Sequence, residues 1–362
     1  MKRVAWLVCV SLGLGCGARQ QDAASSAPVV ARPVEVLDSS LVSTAVVDAG
    51  LKARAEHAAV PSLEELLRSL PSASTSTSIG SPTNGRLEGG LGLPLFGPGF
   101  RHNDKRSREA RFGTVELVRA IVTAADVVAR ALPGGELVVN DIGLPQGGAI
   151  SHHGSHRAGR DADILFYLLD DKEQPLASVG APIDPEGVGF DYKDLTDPSD
   201  DVRVHFDAPR TWRFVQALLE GPDSQVQRIF VVEHLRTRLL VEAERSHAAP
   251  ALIARFAELT CQPSYPHDDH LHVRWFCSAE DLRAGCEDAV PLYPWREAQL
   301  RAAGVQPVLA RRARSEEPAA VVTQADAEHA VLAARPHADV LTFLERRKAW
   351  EKQPHPGRPY CR

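Results

Sequence analysis

The segment His152–Leu169, HHGSHRAGRDADILFYLL, sets the strongest condition on how this chain folds. It places three histidines within five residues, then runs two aspartates into an apolar stretch whose alternation reads as a buried strand. A lone carboxylate at the start of such a strand is costly unless a cation meets it. Asp163 therefore needs an arginine, a helix end or a metal ion. A second cluster, HDDHLHVRWFC (residues 267–277), supplies partners. If it is a strand, alternate residues face the same way, so His270 and His272 share one face while Leu271 and Val273 share the other.

The surrounding pattern decides the class. TVELVRAIVTAADVVARAL (114–132) carries apolar residues at helical spacing and is stopped by PGG. PRTWRFVQALLEG (209–221) and HAAPALIARFAELT (247–260) also read as helices. GELVVNDIGL (135–144), DADILFYLL (161–169), QRIFVVEHL (227–235) and the second histidine cluster read as strands, with His234 as a packed strand residue. Helices and strands mix without regular βαβ alternation. The expected fold is α+β, a mostly antiparallel sheet flanked by helices with the histidines and aspartates at the sheet.

The first 16 residues have the form of a secretory signal peptide, with Lys2 and Arg3 ahead of a short apolar run. Cys16 follows LGLG, which is similar to a bacterial lipoprotein cleavage site apart from Gly13 where leucine is usual, so Cys16 is the lipidation candidate and would be a membrane anchor, the alternative being a soluble periplasmic protein with an incidental cysteine. Residues 17–77 read as a linker of low order holding one short helix, SLEELLRSL, and PSASTSTSIGSPTNG (71–85) reads as Ser/Thr-rich linker. The main domain is placed at 78–299, and 300–362 is a C-terminal extension with a helix over HADVLTFLERRKAWEKQ. Outside the leader stand four cysteines, an even number that suggests disulfides in an exported chain. They allow three pairings, of which Cys277–Cys286 with Cys261–Cys361 is favoured. A formal net charge of −6 leaves no polybasic footprint and argues against nucleic acid as a partner.

Histidine and aspartate are ordinary zinc ligands, and three protein ligands leave a fourth position for water, as catalysis requires. Two neutral imidazoles and one carboxylate leave a divalent site net positive, which polarises a substrate carbonyl. Read singly, an aspartate at a strand start is a turn residue and a His-x-His a surface pair; together they favour zinc.

SHHGSHRAGRDADI followed by HDDHLHVR resembles the penicillin-insensitive murein endopeptidases, within the zinc peptidases that carry His-x6-Asp and His-x-His. The likeness extends in order through SIGSPTNGRLEGGLGLPLFGPGF, RFGTVELV, DIGLPQGG, FDAPRTWRFVQALL and RIFVVEHLRTRLL, covering about residues 78 to 290. It implies a zinc ion held by His156, Asp163 and His272, with His270 beside the attacking water and His153 and His267 lining the site. The implied reaction is hydrolysis of the D-alanyl–diaminopimelate cross-link of peptidoglycan in the periplasm, without a serine nucleophile. We expect His270 to orient or deprotonate the water with help from His267, and Asp161 to bond a loop amide or a ligand histidine. Arg157 replaces the usual glutamine and GRDADI the usual GLDVDI. Arg157 and Arg160 either are solvated loop charges or meet stem-peptide carboxylates. The rival readings are a D-alanyl-D-alanine carboxypeptidase or dipeptidase, and a non-catalytic peptidoglycan-binding lipoprotein.

Overall fold

Alternation in the two charged clusters is realised by pairing them with each other. In the computed structural model, His270–Trp275 runs antiparallel to Asp161–Leu165, with His272 opposite Asp163 and Arg274 opposite Asp161. Opposed residues share a face, so the histidines and aspartates meet on one side. Leu271, Val273, Ala162 and Ile164 fill the buried other side. The structure describes residues 60–310 apart from 222–223 and 264–265, together with 331, 333–352 and 361. The leader and Cys16 lie outside the described residues. Among those described, no helix is long and apolar enough to cross a membrane.

These two strands are the middle of a seven-stranded sheet, in the order Thr260–Cys261, Val226–Phe230, His270–Trp275, Asp161–Leu165, Leu137–Val139, Phe100–His102, Phe96–Gly97. Its pairs are antiparallel except at Val226–Phe230 with Thr260–Cys261 and at Phe100–His102 with Leu137–Val139. The expected strand 161–169 divides: after Leu165 the chain passes through buried Phe166 and Tyr167, and Leu168–Leu169 joins a separate four-stranded antiparallel sheet beside Arg203–Phe206.

Two long helices pack together in the core. Val115–Ala131 starts at Thr114, whose hydroxyl accepts from the Leu117 amide, and buries Val115, Val118, Ile121, Val122, Ala125 and Val128 at helical spacing. Ala208–Glu220 starts at Asp207, which caps the Arg210 amide, and buries Trp212, Phe214, Val215 and Leu218. The strand expected through His234 ends at Phe230. Glu233–Arg245 is a helix instead, with Leu235, Leu239 and Ala243 at a spacing of four against the core. The β-branched run before it masks that period.

Packed structure also begins ahead of residue 78. Helix Leu63–Ser69 is closed by a reciprocal Ser62–Glu65 cap and puts Leu66 into the main core. The segment read as linker forms a hairpin, Thr77–Ser81 with Asn84–Glu88, that buries Ser78. At the other end, helix Ala338–Lys352 contributes Val340, Phe343 and Trp350 to the same core. The disulfides are the favoured pairs. Cys277–Cys286 spans nine residues, and Cys261–Cys361 spans 100 and ties the C-terminus to the edge of the sheet.

Candidate metal centre

The loop that carries His153 and His156 lies across the N-terminal hairpin. Gly147 makes this approach possible: its φ is +72°, and a Cβ there would sit 2.3 Å from the Arg157 carbonyl. The Gly148 amide bonds that same carbonyl at 2.8 Å, and the Arg157 amide reaches Pro82 O at 3.2 Å. His156 is itself left-handed, φ 66°, as is His267, φ 51°. Such a conformation costs an L-residue about 1–2 kcal/mol and persists only where the surroundings hold it.

Four imidazoles surround the Asp163 carboxylate. His156 Nε2 and His272 Nδ1 each lie 3.3 Å from Oδ1, His270 Nε2 lies 3.4 Å from it, and His153 Nδ1 is 3.6 Å from Oδ2. Every ring is tied behind by an oxygen at its far nitrogen. His156 Nδ1 bonds Ile142 O at 2.9 Å, His272 Nε2 bonds Asp161 Oδ1 at 2.8 Å, His270 Nδ1 bonds Asp269 Oδ1 at 2.7 Å, and His153 Nε2 bonds Asp141 Oδ2 at 2.9 Å. An N–H donated backward leaves a lone pair pointing forward, which is how ligand histidines are oriented. His156 Nε2 and Asp163 Oδ1 are buried with no hydrogen-bond partner. Unpaired acceptors converging in a dry site suit a cation. The donor atoms of His153, His156 and Asp163 lie within 4.8 Å of one another, as do those of His267, His270 and His272.

Electrostatics point the same way. Burial works to raise the Asp163 carboxyl, but the charges of His156 and then His270 outweigh it and hold the group well below the usual carboxylate range. Burial lowers His272 to about 4, so it stays neutral and available as a donor. On His270 burial is outweighed by Asp269 and Asp163, which raise it well above an ordinary histidine. Burial opposes ionisation of Asp161, yet Arg274 and then His272 keep it charged at any ordinary pH.

Asp161 accepts from the His156 amide at 3.3 Å, from His272, and from Arg274 Nε at 2.6 Å. The expectation for Arg160 is corrected. Arg160 is 1% exposed, and its guanidinium is committed to Ser78 Oγ, Trp275 O, Glu287 O and Asp288. It pegs the hairpin to the end of the histidine strand and cannot reach a stem peptide. Arg157 is buried as well, at 5% exposed. His234 turns its Nε2 to Ile183 O at 2.9 Å and its ring to Trp350, away from the histidine group.

Sequence reasoning missed Asp141, Asp269 and Arg274. Asp269 adjoins His270, and Arg274 follows His272 by two on the same strand face, so alternation could have found both. Asp141 sits where its strand runs out beside Asp163, bonding the Asp163 amide through its carbonyl at 3.0 Å.

Residues 78–303 match the family model described as penicillin-insensitive murein endopeptidase. A protein of that name from Klebsiella pneumoniae is 29% identical over 227 residues, 62% of this chain and 74% of the relative. One from Pectobacterium atrosepticum is 31% identical over 228 residues, 61% of this chain and 72% of the relative. With more than half its length matched, and with the histidine and aspartate motifs gathered on one sheet face, the chain belongs to the penicillin-insensitive murein endopeptidase family.

Proposed function

We propose that the chain is a zinc-dependent endopeptidase that hydrolyses the D-alanyl–diaminopimelate cross-links of peptidoglycan in the cell envelope. The observation that carries the metal is the convergence of His156 Nε2 and His272 Nδ1 on Asp163 Oδ1, each at 3.3 Å, with two of these three atoms lacking any hydrogen-bond partner. The substrate class rests on the family and on the names of the relatives.

His156, Asp163 and His272 would hold the ion. Bound zinc supplies a Lewis acid for the scissile carbonyl and brings the ionisation of water near neutral pH. Asp161 and the Ile142 carbonyl keep the ligand rings in the donating tautomer. His270 holds a proton on the ring nitrogen facing Asp269; a bound cation would oppose the carboxylates that raise it and leave Nε2 free to take a proton from water and return it to the leaving amine. His267, with its ring centroid 4.9 Å from that of His270, assists. His153 is held by Asp141 and borders the carboxylate from the other side. In this reading residues 1–16 are the export leader, Cys16 the lipid attachment point and 78–299 the hydrolytic domain.

The deciding experiment pairs metal analysis of the purified protein with digestion of cross-linked muropeptide dimers. We expect about one zinc per chain and chelator-sensitive release of monomers. Free alanine in place of monomers would make it a carboxypeptidase, and sacculus binding without any product would make it a wall-binding protein.

A further inference from the structure

Helix Ala338–Lys352 turns Val340, Phe343, Arg347 and Trp350 inward, spaced three, four and three residues apart along one face. Three of these are apolar. The fourth is an arginine 1% exposed, in a position where a core residue is expected. A buried guanidinium is tolerated only where a carboxylate meets it. Asp268, 0% exposed, does so with both oxygens: Arg347 Nε lies 2.7 Å from Oδ2 and Nη2 2.6 Å from Oδ1. Trp350 Nε1 adds a third bond to Oδ2 at 2.9 Å.

Asp268 stands between His267 and Asp269, and Asp269 holds the His270 ring. The left-handed His267 is just such a strained residue as needs outside support. The same helix takes hold of this segment again at its start. Gln262 Nε2 donates to Trp350 O at 2.9 Å, the Cys361 amide donates to Gln262 O at 3.0 Å, and the Cys261–Cys361 disulfide closes the attachment. The helix and Cys361 lie beyond residues 78–303, the span matched by the family model, whereas Cys261, Gln262 and Asp268 lie within it.

We propose that Arg347 is a positioning residue for hydrolysis: through its two-pronged grip on Asp268 it sets the backbone between His267 and Asp269, and so the aim of the His267 and His270 rings. This rests on the reading that those histidines serve cross-link hydrolysis. The planar fork fixes the rotation of Asp268, which a lysine point charge does not.

Arg347→Lys in the full, metal-loaded chain tests it. A misplacement of about 1 Å costs on the order of 100-fold in rate. The expected result is kcat on dimeric muropeptide lower by about 10- to 100-fold, KM within about twofold and zinc content unchanged. Amide exchange at residues 267–270 should quicken, while Asp161–Leu165 and Val115–Ala131 stay protected. The paired variant Asp268→Asn with Arg347→Met leaves no unmatched buried charge, and it should show the same split if the lysine variant folds poorly. Wild-type kcat in either folded variant overturns the proposal, as does exchange that rises evenly across the domain. If the wild-type chain releases no product, the functional reading fails, and local exchange alone then decides whether Arg347 orders this segment.

Discussion

The segment His152–Asp163 is secured from within the sheet domain, whereas the segment Gln262–His270 is secured from within it and also by chain beyond the family span. The first is bound to chain close in space and within the family span. Its contacts are Arg157 N to Pro82 O, Gly159 O from Thr114 N, Asp163 N to Asp141 O, and the Arg160 peg into Ser78 and Asp288. Among its described residues the second is held inside the domain by Val232 N to His267 O, Ile183 N to Asp268 O, the Glu233 amide on Gln262 Oε1 and the pairing of His270 with Leu165. The C-terminal helix and a disulfide add a support that the first segment does not have in these contacts. Both segments aim at one carboxylate, so the site needs two independent supports. Losing either should damage it differently.

The largest effect is expected where the two supports meet. Asp163→Ala removes the atom on which three imidazoles converge, and should abolish zinc binding and cross-link cleavage, beyond the roughly 10- to 100-fold loss typical of groups behind a ligand. Metal content by mass spectrometry and the dimer digest check this. Retained stoichiometric zinc would show that the two histidine groups bind metal without it.

The two disulfides close loops of very different length. Loop-closure entropy gives about 4.7 kcal/mol for a 100-residue loop and, by the same relation, about 2.6 kcal/mol for a nine-residue one. Replacing Cys261 and Cys361 by alanine should therefore lower the unfolding free energy more than replacing Cys277 and Cys286. It should also loosen residues 262–270 selectively. Denaturant titrations rank the two, and an equal or reversed order would mean that the external support contributes little.

Arg160→Met probes the internal support alone. Breaking a buried ion pair on one side costs about 3–5 kcal/mol. The variant should melt well below wild type yet, at a temperature where it is folded, keep its KM for stems with free or amidated carboxylates. A raised KM confined to free carboxylates would return Arg160 to the substrate.

How much of this was legible follows the same division. The core helices and the shared face of His270 and His272 derive from local periodicity, because strand alternation fixes which side chains share a face, whereas the meeting at Asp163 was implied by the family resemblance and the register of histidine against aspartate is a long-range pairing. His234 was misread because VV ahead of it mimics a strand, while the helical repeat lies downstream. Arg160 was misread because a basic residue beside a loop glycine looks solvent-facing, and its partners Ser78 and Asp288 are 82 and 128 residues away. The Asp268–Arg347 pair, 79 residues apart, has no local signature at all. Only the oddity of a charge on the apolar face of the last helix hints at it.

The smallest predicted effect lies at the junction of the external support. Ile183 is clasped from both sides: its amide donates to Asp268 O at 2.8 Å, and its carbonyl bonds His234 Nε2 at 2.9 Å. Burial lowers the His234 pKa from 6.5, with the Ile183 carbonyl opposing in part. A depressed folded-state pKa contributes stability that is complete above the unfolded value and fades as pH falls below about 6.5, because the unfolded chain takes up the proton first. The slope is at most one proton's worth, about 1.4 kcal/mol per pH unit. His234→Gln keeps a donor for Ile183 without a titration. Other buried histidines also titrate, so the difference between wild type and variant is what isolates this residue. Urea midpoints taken from pH 7.5 to 5 should converge as the pH falls, wild type losing more. Parallel curves would mean that His234 titrates alike folded and unfolded, and that the clasp on Ile183 is indifferent to acid.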